Sequence, residues 1–296
     1  MLKRLTIAAA AAAFAITSAH AAAPWKKLMS PDELSAAMAD GDVTIVDIRD
    51  PKAYATVHLP GAVNAPYPSW RGPADNPGEL LDDAALTAVI QGAGLDPEDR
   101  VVITHAGTDQ TDFGAAARVY WTLKSAGFPE LAILNGGVRG WVAADKPLSV
   151  DPTTPTPSTG TYSLSDEWLA DRDEIADIVS GKQDAALVDA RPEAFFKGEK
   201  KHKVAVKAGT LKGAKDFPYA SFFNGSDTEV VDETEARAIL ANAPVGSETV
   251  SFCNTGHWAA TNWFAMSELA GKDNVKLYPE SMVGWVKGGG ETVTGK

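Results

Sequence analysis

Cysteine is almost absent from this sequence, which has a single one, Cys253, among 296 residues. One thiol cannot form a disulfide within the chain, so the sequence excludes both a disulfide-stabilised scaffold and a CxxC-type dithiol oxidoreductase. Without a second cysteine there is also no internal partner that resolves a sulfur-bearing or oxidised thiol. Any group that Cys253 takes up must therefore pass to another molecule.

Basic residues are also scarce, with 27 lysines and arginines against 39 acidic residues and a formal net charge of −12. Such acidity argues against nucleic acid or an anionic membrane surface as a partner. His58, His105 and His202 have no metal-ligand spacing around the cysteine, so we expect no metal site. The stretch NGGVRG lacks the lysine and Ser/Thr of a P-loop, and we expect no cofactor.

The apolar run near the N-terminus, Leu5 to Thr17, is too short to cross a membrane. Lys3 and Arg4 precede it, and the small-x-small sequence Ala19-His20-Ala21 follows it. This order is typical of a secretory signal peptide over residues 1–21 that is cleaved after Ala21. We therefore predict an exported, periplasmic protein without a membrane span.

The length suits two domains, and composition indicates where they meet. Residues 151–160, DPTTPTPSTG, are rich in Pro, Thr and Ser and lack apolar periodicity, which is typical of a semi-rigid linker. We predict one domain over residues 24–150 and another over residues 161–296. In each, short β-rich runs alternate with helical ones, which indicates an α/β fold with a mostly parallel sheet flanked by helices.

The two predicted domains repeat the same motifs in the same order. One strand ends in Asp47-Ile48-Arg49 in the first half and in Asp189-Ala190-Arg191 in the second. The run VVITH, ending at His105, corresponds to TVSFC, ending at Cys253, and LNGGVRGW corresponds to YPESMVGW. An internal duplication is the simplest account, and it places His105 where the second half has its cysteine.

Three local signals surround Cys253. TVSF at 249–252 is typical of a buried strand, CNTGHW at 253–258 is a turn containing Gly256, and residues 259–269 favour a helix. At such a junction, backbone N–H groups of the turn and of the helix N-terminus stabilise a thiolate. The alternative is a small, inert, buried side chain. The order strand, turn, helix favours a nucleophile.

Taken together, these motifs resemble those of the tandem-domain rhodaneses, a family of thiosulfate and 3-mercaptopyruvate sulfurtransferases. The resemblance rests on the paired DxR strand ends, HLPGAVNAPY at 58–67, NGGVRGW, and the strand-cysteine-loop-helix of the second half. It implies two rhodanese-like domains. Two-domain members of that family carry the catalytic cysteine only in the second domain, which matches His105 and Cys253 here.

The resemblance implies a double displacement in which Cys253 attacks the outer sulfur of thiosulfate or a mercapto acid. The sulfur remains as a persulfide and then passes to cyanide or a thiol, with a protein acceptor as a further candidate. We expect loop N–H groups to surround the terminal sulfur without any metal. The loop residues expected to bind substrate are Asn254, Thr255, Gly256, His257 and Trp258.

Several side chains have two interpretations. Arg191 corresponds to an arginine that helps to hold the anionic donor in related enzymes, or it ties its strand end to a neighbouring loop, as Arg49 suggests. Members that favour thiosulfate commonly have Arg or Lys in the loop, and this loop has neither. His257 supplies a positive charge or a proton, or it faces solvent. Trp258 forms a flat apolar wall of the site, or it packs between the domains.

An insertion in the second half carries seven lysines and His202 between Lys197 and Lys215. It is either an electrostatic funnel for anionic sulfur species or a solvated surface hairpin.

Two other classes of protein function compete with the sulfurtransferase. A dual-specificity phosphatase needs arginine six positions after the cysteine, where this chain has Ala259. A non-enzymatic sulfur carrier or interaction module, fed by a partner protein, needs the same cysteine loop and stays open.

Overall fold

The computed structural model describes residues 25–296. The predicted signal peptide lies outside the described residues, and export stays a prediction. The first half contains β1 (Leu28–Met29), α1 (Pro31–Asp40), β2 (Val43–Asp47), α2 (Pro51–Thr56), β3 (Val63–Asn64), α3 (Asp83–Gly92), β4 (Arg100–Thr104), α4 (Gln110–Ser125), β5 (Leu131–Leu134) and α5 (Gly137–Ala143). The second half contains α6 (Arg172–Ser180), β6 (Ala186–Asp189), α7 (Glu193–Phe196), β7 (Lys215–Asp216), α8 (Glu233–Leu240), β8 (Thr249–Phe252), α9 (Trp258–Trp263), β9 (Val275–Leu277) and α10 (Ser281–Lys287).

Each half is built around a parallel sheet. The strand order is β1-β5-β4-β2-β3 in the first and β7-β6-β8-β9 in the second, and every pair is parallel. A parallel bridge from Leu169 to Leu277 of β9 takes the place that β1 has beside β5. The predicted α/β fold with two mostly parallel sheets is confirmed. Within residues 25–296, no helix combines the length and apolar character needed to cross a membrane.

Short polar side chains start the longer helices. The Ser30 hydroxyl accepts the N–H of Glu33, whose carboxylate in turn accepts the N–H of Ser30, so α1 begins with a reciprocal cap. Asp109 caps α4 by accepting the N–H of Asp112 at 2.9 Å. Such caps satisfy backbone donors that have no partner within the helix. The Asp109 cap thus fixes the start of α4, the helix that faces the second half.

The segment 151–160 contains neither helix nor strand. It runs along α3, where the Ser158 N–H donates to the Gln91 carbonyl at 3.2 Å and the Gln91 amide donates to the Gly160 carbonyl at 2.9 Å. Just beyond it, the Tyr162 side chain is buried against the first half. The segment predicted as a semi-rigid linker is therefore held along the first half by hydrogen bonds.

The two halves share one hydrophobic core. Phe113 and Tyr120 of α4 meet Phe264 edge-on, with ring centroids 5.7 and 4.9 Å apart. Phe113 also meets Phe223 at 6.0 Å. Aromatic side chains bury large apolar areas, and edge-to-face pairs add directional attraction. Because Phe264 directly follows α9, this packing presses the segment after the Cys253 turn against the first half.

The helix expected over residues 259–269 is α-helical only in part. Its second half, Phe264–Leu269, is a π-helix, whose wider turn accommodates one extra residue and is frequent near functional sites. The turn places the buried Glu268 beside Lys27 and Lys124 of the first half, at 3.0 and 2.6 Å. The apolar pattern of the sequence predicts a helix here but carries no signal for this change of helix type.

Candidate active site

Cys253 lies at the carboxyl end of β8, the edge at which parallel α/β sheets bind ligands. Its side chain is 1% exposed. His105 follows β4 in the same way, and the backbone carbonyl of each residue accepts a hydrogen bond from the start of the last helix of its half. The N–H of Met282 donates to the Cys253 carbonyl at 3.1 Å, and the N–H of Val138 donates to the His105 carbonyl at 2.8 Å. The structure thus places His105 and Cys253 at equivalent points of the two sheets.

Ser281 holds the turn that carries the cysteine, although the sequence motifs did not point to it. Its buried hydroxyl accepts the N–H groups of Cys253 and Gly256 at 2.9 and 3.1 Å and donates to the Tyr278 carbonyl at 2.8 Å. Ser281 has a φ of +50°, close to the φ of +56° at the matching residue of the first half, which is a glycine, Gly137. A serine at a left-handed position that its repeat fills with glycine was the available signal.

Ser281→Gly is expected to lower kcat/KM for sulfur transfer roughly tenfold while leaving thermal stability nearly unchanged, because it removes the hydroxyl but also the backbone strain. Ser281→Ala keeps the strain and loses the hydroxyl, so we expect the same loss of activity with about 1 kcal/mol less stability than Ser281→Gly. Steady-state rates and thermal unfolding measure the two effects separately. Full activity in Ser281→Gly would show that this hydroxyl does not position the turn.

The turn keeps four backbone donors free. Ser281 takes the Gly256 N–H, so the expectation that every N–H from Asn254 to Trp258 faces the sulfur is wrong for Gly256. Within the described part of the chain, the N–H groups of Asn254, Thr255, His257 and Trp258 have no acceptor. Gly256 has another role. Its φ is +67°, and a Cβ there would lie 2.3 Å from Nη1 of Arg118 and 2.4 Å from the Pro279 carbonyl oxygen.

Arg191 is buried and already paired. Its Nε and Nη2 bind the Asp189 carboxylate at 2.8 and 2.6 Å, and Nη2 also donates to the Gly209 carbonyl at 2.9 Å. Nη1 reaches the amide oxygen of Asn254 at 3.3 Å. In the first half, Arg49 makes the same pair with the aspartate two residues before it. These contacts favour the structural interpretation, in which Arg191 orients Asn254 and its charge is balanced by Asp189.

His257 binds the first half through both ring nitrogens. Its Nε2 donates to the Thr111 carbonyl at 2.6 Å, so its Nδ1 accepts the Tyr67 hydroxyl at 2.9 Å. Burial and then the nearby charge of Arg71 lower the pKa of His257 to about 4. The ring is neutral at neutral pH, which corrects the expectation of a positive charge. Gly114 permits this contact, because a Cβ there would lie 2.8 Å from the His257 carbonyl oxygen.

Trp258 contacts aromatic side chains of its own half and also the first half. Its ring stacks on Tyr219 with centroids 5.2 Å apart and meets Phe195 edge-on at 5.8 Å. Its Nε1 donates to the Thr111 hydroxyl of the first half at 3.3 Å. The residue therefore belongs to an aromatic wall beside the turn, and it also ties the turn to α4.

The basic insert at 197–215 does not form a hairpin. Two of its seven lysines, Lys197 and Lys207, form ion pairs with glutamates. Burial, followed by the charges of a neighbouring lysine and of Arg71, lowers the pKa of His202. The charge of Arg71, a residue of the first half that no sequence motif singled out, thus acts on the insert.

The first half contributes two arginines to the turn. Arg71 donates through Nη2 to the Thr255 carbonyl at 2.6 Å, and Arg118 approaches the Gly256 carbonyl through Nη1 at 3.4 Å. Arg118 lies on α4 and is 1% exposed. No sequence signal pointed to them, because they precede the cysteine by more than a hundred residues and belong to the half without a thiol.

The sequence matches a known domain family in both halves and resembles known proteins over most of its length. Residues 30–144 and 171–288 each match the Rhodanese-like domain family. The chain is 29% identical over 264 residues to the thiosulfate sulfurtransferase of Azotobacter vinelandii, covering 87% of this chain and 93% of that one. It is 27% identical over 274 residues to the Sulfur carrier protein TtuD of Thermus thermophilus, with coverages of 87% and 93%.

A solved structure shows the same fold. SseA from Escherichia coli, described as a 3-mercaptopyruvate sulfotransferase, superposes with a TM-score of 0.73 at 22% identity, covering 86% of this chain and 98% of SseA. The duplicated sheets, the equivalence of His105 with Cys253 and the paired domain matches lead to one conclusion. The chain belongs to the rhodanese family of sulfurtransferases, as a tandem of two rhodanese-like domains.

Proposed function

We propose that the protein transfers sulfane sulfur through a persulfide on Cys253. The observation that carries this proposal is the setting of the only thiol, at the end of a central parallel strand, in a turn with four unengaged N–H groups. Backbone donors in a site shielded from water stabilise an anion without needing to reorganise. They suit both the thiolate and the terminal sulfur of a persulfide.

The chemistry balances in two steps. The Cys253 thiolate attacks the outer sulfur of thiosulfate, the bond between the two donor sulfurs breaks, and sulfite leaves with the electron pair. The product on the enzyme is a persulfide anion. Cyanide or a thiolate then attacks its terminal sulfur, the sulfur–sulfur bond breaks, and the Cys253 thiolate returns. Such covalent catalysis divides one difficult transfer into two easier ones.

Steady-state kinetics test this order of events. With thiosulfate and cyanide both varied, we expect parallel double-reciprocal lines, because sulfite leaves before cyanide reacts. Intersecting lines would mean that both substrates bind together, and the proposed persulfide intermediate would then be unnecessary.

A protein-fed sulfur carrier is the second candidate. The Thermus relative named as a sulfur carrier favours it. A carrier is expected to form the persulfide but to turn over thiosulfate and cyanide far more slowly than it exchanges sulfur with its partner.

We also propose that the protein acts outside the cytoplasm, which the sequence of residues 1–21 supports. N-terminal sequencing of the natural protein tests this, with Ala22 as the expected first residue.

A further inference from the structure

The donor half-reaction brings several negative charges together. A thiolate and a thiosulfate dianion carry three between them, and the persulfide and sulfite that they form carry the same number. The turn of the second half offers no balancing cation, because His257 is neutral and Arg191 is paired with Asp189. Backbone N–H groups supply only partial charges. The positive charge that this reaction requires must come from elsewhere.

Arg71 and Arg118 are placed to supply it. Both contact the turn that carries the cysteine, at the carbonyls of Thr255 and Gly256. Each guanidinium also lies over an aromatic ring of its own half, Arg118 at 5.2 Å from the centre of Trp121 and Arg71 at 5.0 Å from that of Tyr67. Such stacking fixes the plane of the guanidinium and leaves its edge available for hydrogen bonds.

Neither charge is neutralised within the structure. Among residues 25–296, the arginines that form salt bridges are Arg49, Arg100, Arg191 and Arg237. Arg71 and Arg118 are not among them.

The two guanidinium groups also keep unused donors. Within the same range, the buried Nε atoms of Arg71 and Arg118 have no hydrogen-bond partner. A buried polar atom without a partner is costly, and a pair of like charges at one site adds repulsion. Burial and then the charge of Arg71 lower the pKa of Arg118 to about 10, while Cys253 and Tyr67 act in the opposite direction. Arg118 therefore stays charged at neutral pH, and an anion between the two groups would relieve these costs.

We propose that Arg71 and Arg118 form an anion-binding site for the sulfur donor, taking the sulfonate of thiosulfate or the carboxylate of a mercapto acid. The partly exposed Arg71 faces the entering donor, and the buried Arg118 lies behind it against the turn. This inference rests on the proposed persulfide reaction. It gives the first domain a role in the site and explains how a turn without Arg or Lys handles an anionic donor.

Equilibrium binding of thiosulfate to the Cys253→Ser protein tests the site without turnover. Arg71→Gln and Arg118→Gln, each added to that background, are expected to raise the Kd about tenfold by removing charge-assisted hydrogen bonds. Arg100→Gln is the matched control, because it removes the same charge at the opposite end of the first sheet, and its Kd is expected to stay within about twofold. In the Cys253 enzyme, Arg71→Gln is expected to raise KM for thiosulfate about tenfold with little change in kcat.

Arg118→Lys separates charge from structure, because it keeps the charge and loses the planar fork. We expect it to recover part of the affinity that Arg118→Gln loses. An unchanged Kd in both glutamine variants would overturn the inference, and so would an equal loss in Arg100→Gln. If Arg118→Gln fails to fold, the partly exposed Arg71→Gln decides. Persulfide formation by the wild type with unchanged KM in Arg71→Gln would reject this site alone, whereas a wild type that never forms a persulfide would reject the proposed function.

Discussion

Cys253→Ser is expected to lower thiocyanate formation from thiosulfate and cyanide by roughly 10³-fold or more, because no other residue can replace the nucleophile. A serine hydroxyl is scarcely ionised at neutral pH, and this chain has no second thiol. The substitution is small and keeps the backbone of the turn, so the variant should unfold within a few degrees of the wild type. Activity above roughly a tenth of the wild-type rate would place the reacting group elsewhere.

Glu268→Gln is expected to lower the free energy of unfolding by about 3 kcal/mol. The side chain of Glu268 is 1% exposed. Its carboxylate accepts a hydrogen bond from the Tyr120 hydroxyl at 2.8 Å and forms ion pairs with Lys27 and Lys124. Glutamine leaves both ammonium groups at the domain interface without a counter-charge. The cost stays below that of a fully buried pair because the two lysines are 45% and 22% exposed.

Thermal or denaturant unfolding measures this loss. The matched control is Glu130→Gln, the same change in an exposed pair with Arg100, which is expected to cost less than about 1 kcal/mol. Equal effects at the two sites would show that the Glu268 cluster does not hold the domains together.

The Glu268 contribution also has a defined pH dependence. Burial alone raises the pKa of Glu268, but the charges and hydrogen bonds of Lys124 and Lys27 outweigh it and bring the pKa below its ordinary value of 4.5. Because the folded pKa is lowered, this stabilisation is complete above the unfolded value and is lost as the pH falls through the folded one. The stability difference between wild type and Glu268→Gln should therefore shrink below about pH 4.

The sequence was sufficient for features that depend on local pattern. Short β-rich runs that alternate with helical ones, together with the doubled motifs, predicted two parallel-sheet halves, and the structure confirmed that fold. The junction of strand, turn and helix also pointed to Cys253, since the carboxyl end of a parallel strand is a binding edge in any such sheet. Both inferences were open to the sequence because they rest mainly on patterns of residues that are adjacent in the chain.

Features made by contacts between the halves were not accessible in the same way. The neutral state of His257 depends on burial against the first half and on the charge of Arg71, which lies more than a hundred residues earlier. Glu268 of the π-helix pairs with two lysines of the first domain, and Arg118 reaches the turn from α4, which packs on α9. Ser281 was accessible to the sequence only in part. Aligning the repeats places it opposite a glycine, but only the positive φ shows that the serine occupies a left-handed backbone position.

Intact mass of the purified protein, before and after thiosulfate and again after cyanide, tests the central claim most directly. The persulfide account predicts a gain of one sulfur atom, about 32 Da, that cyanide removes and that Cys253→Ser never shows. A gain that persists in Cys253→Ser would contradict the account. So would a wild type that gains no sulfur from thiosulfate, mercaptopyruvate or polysulfide.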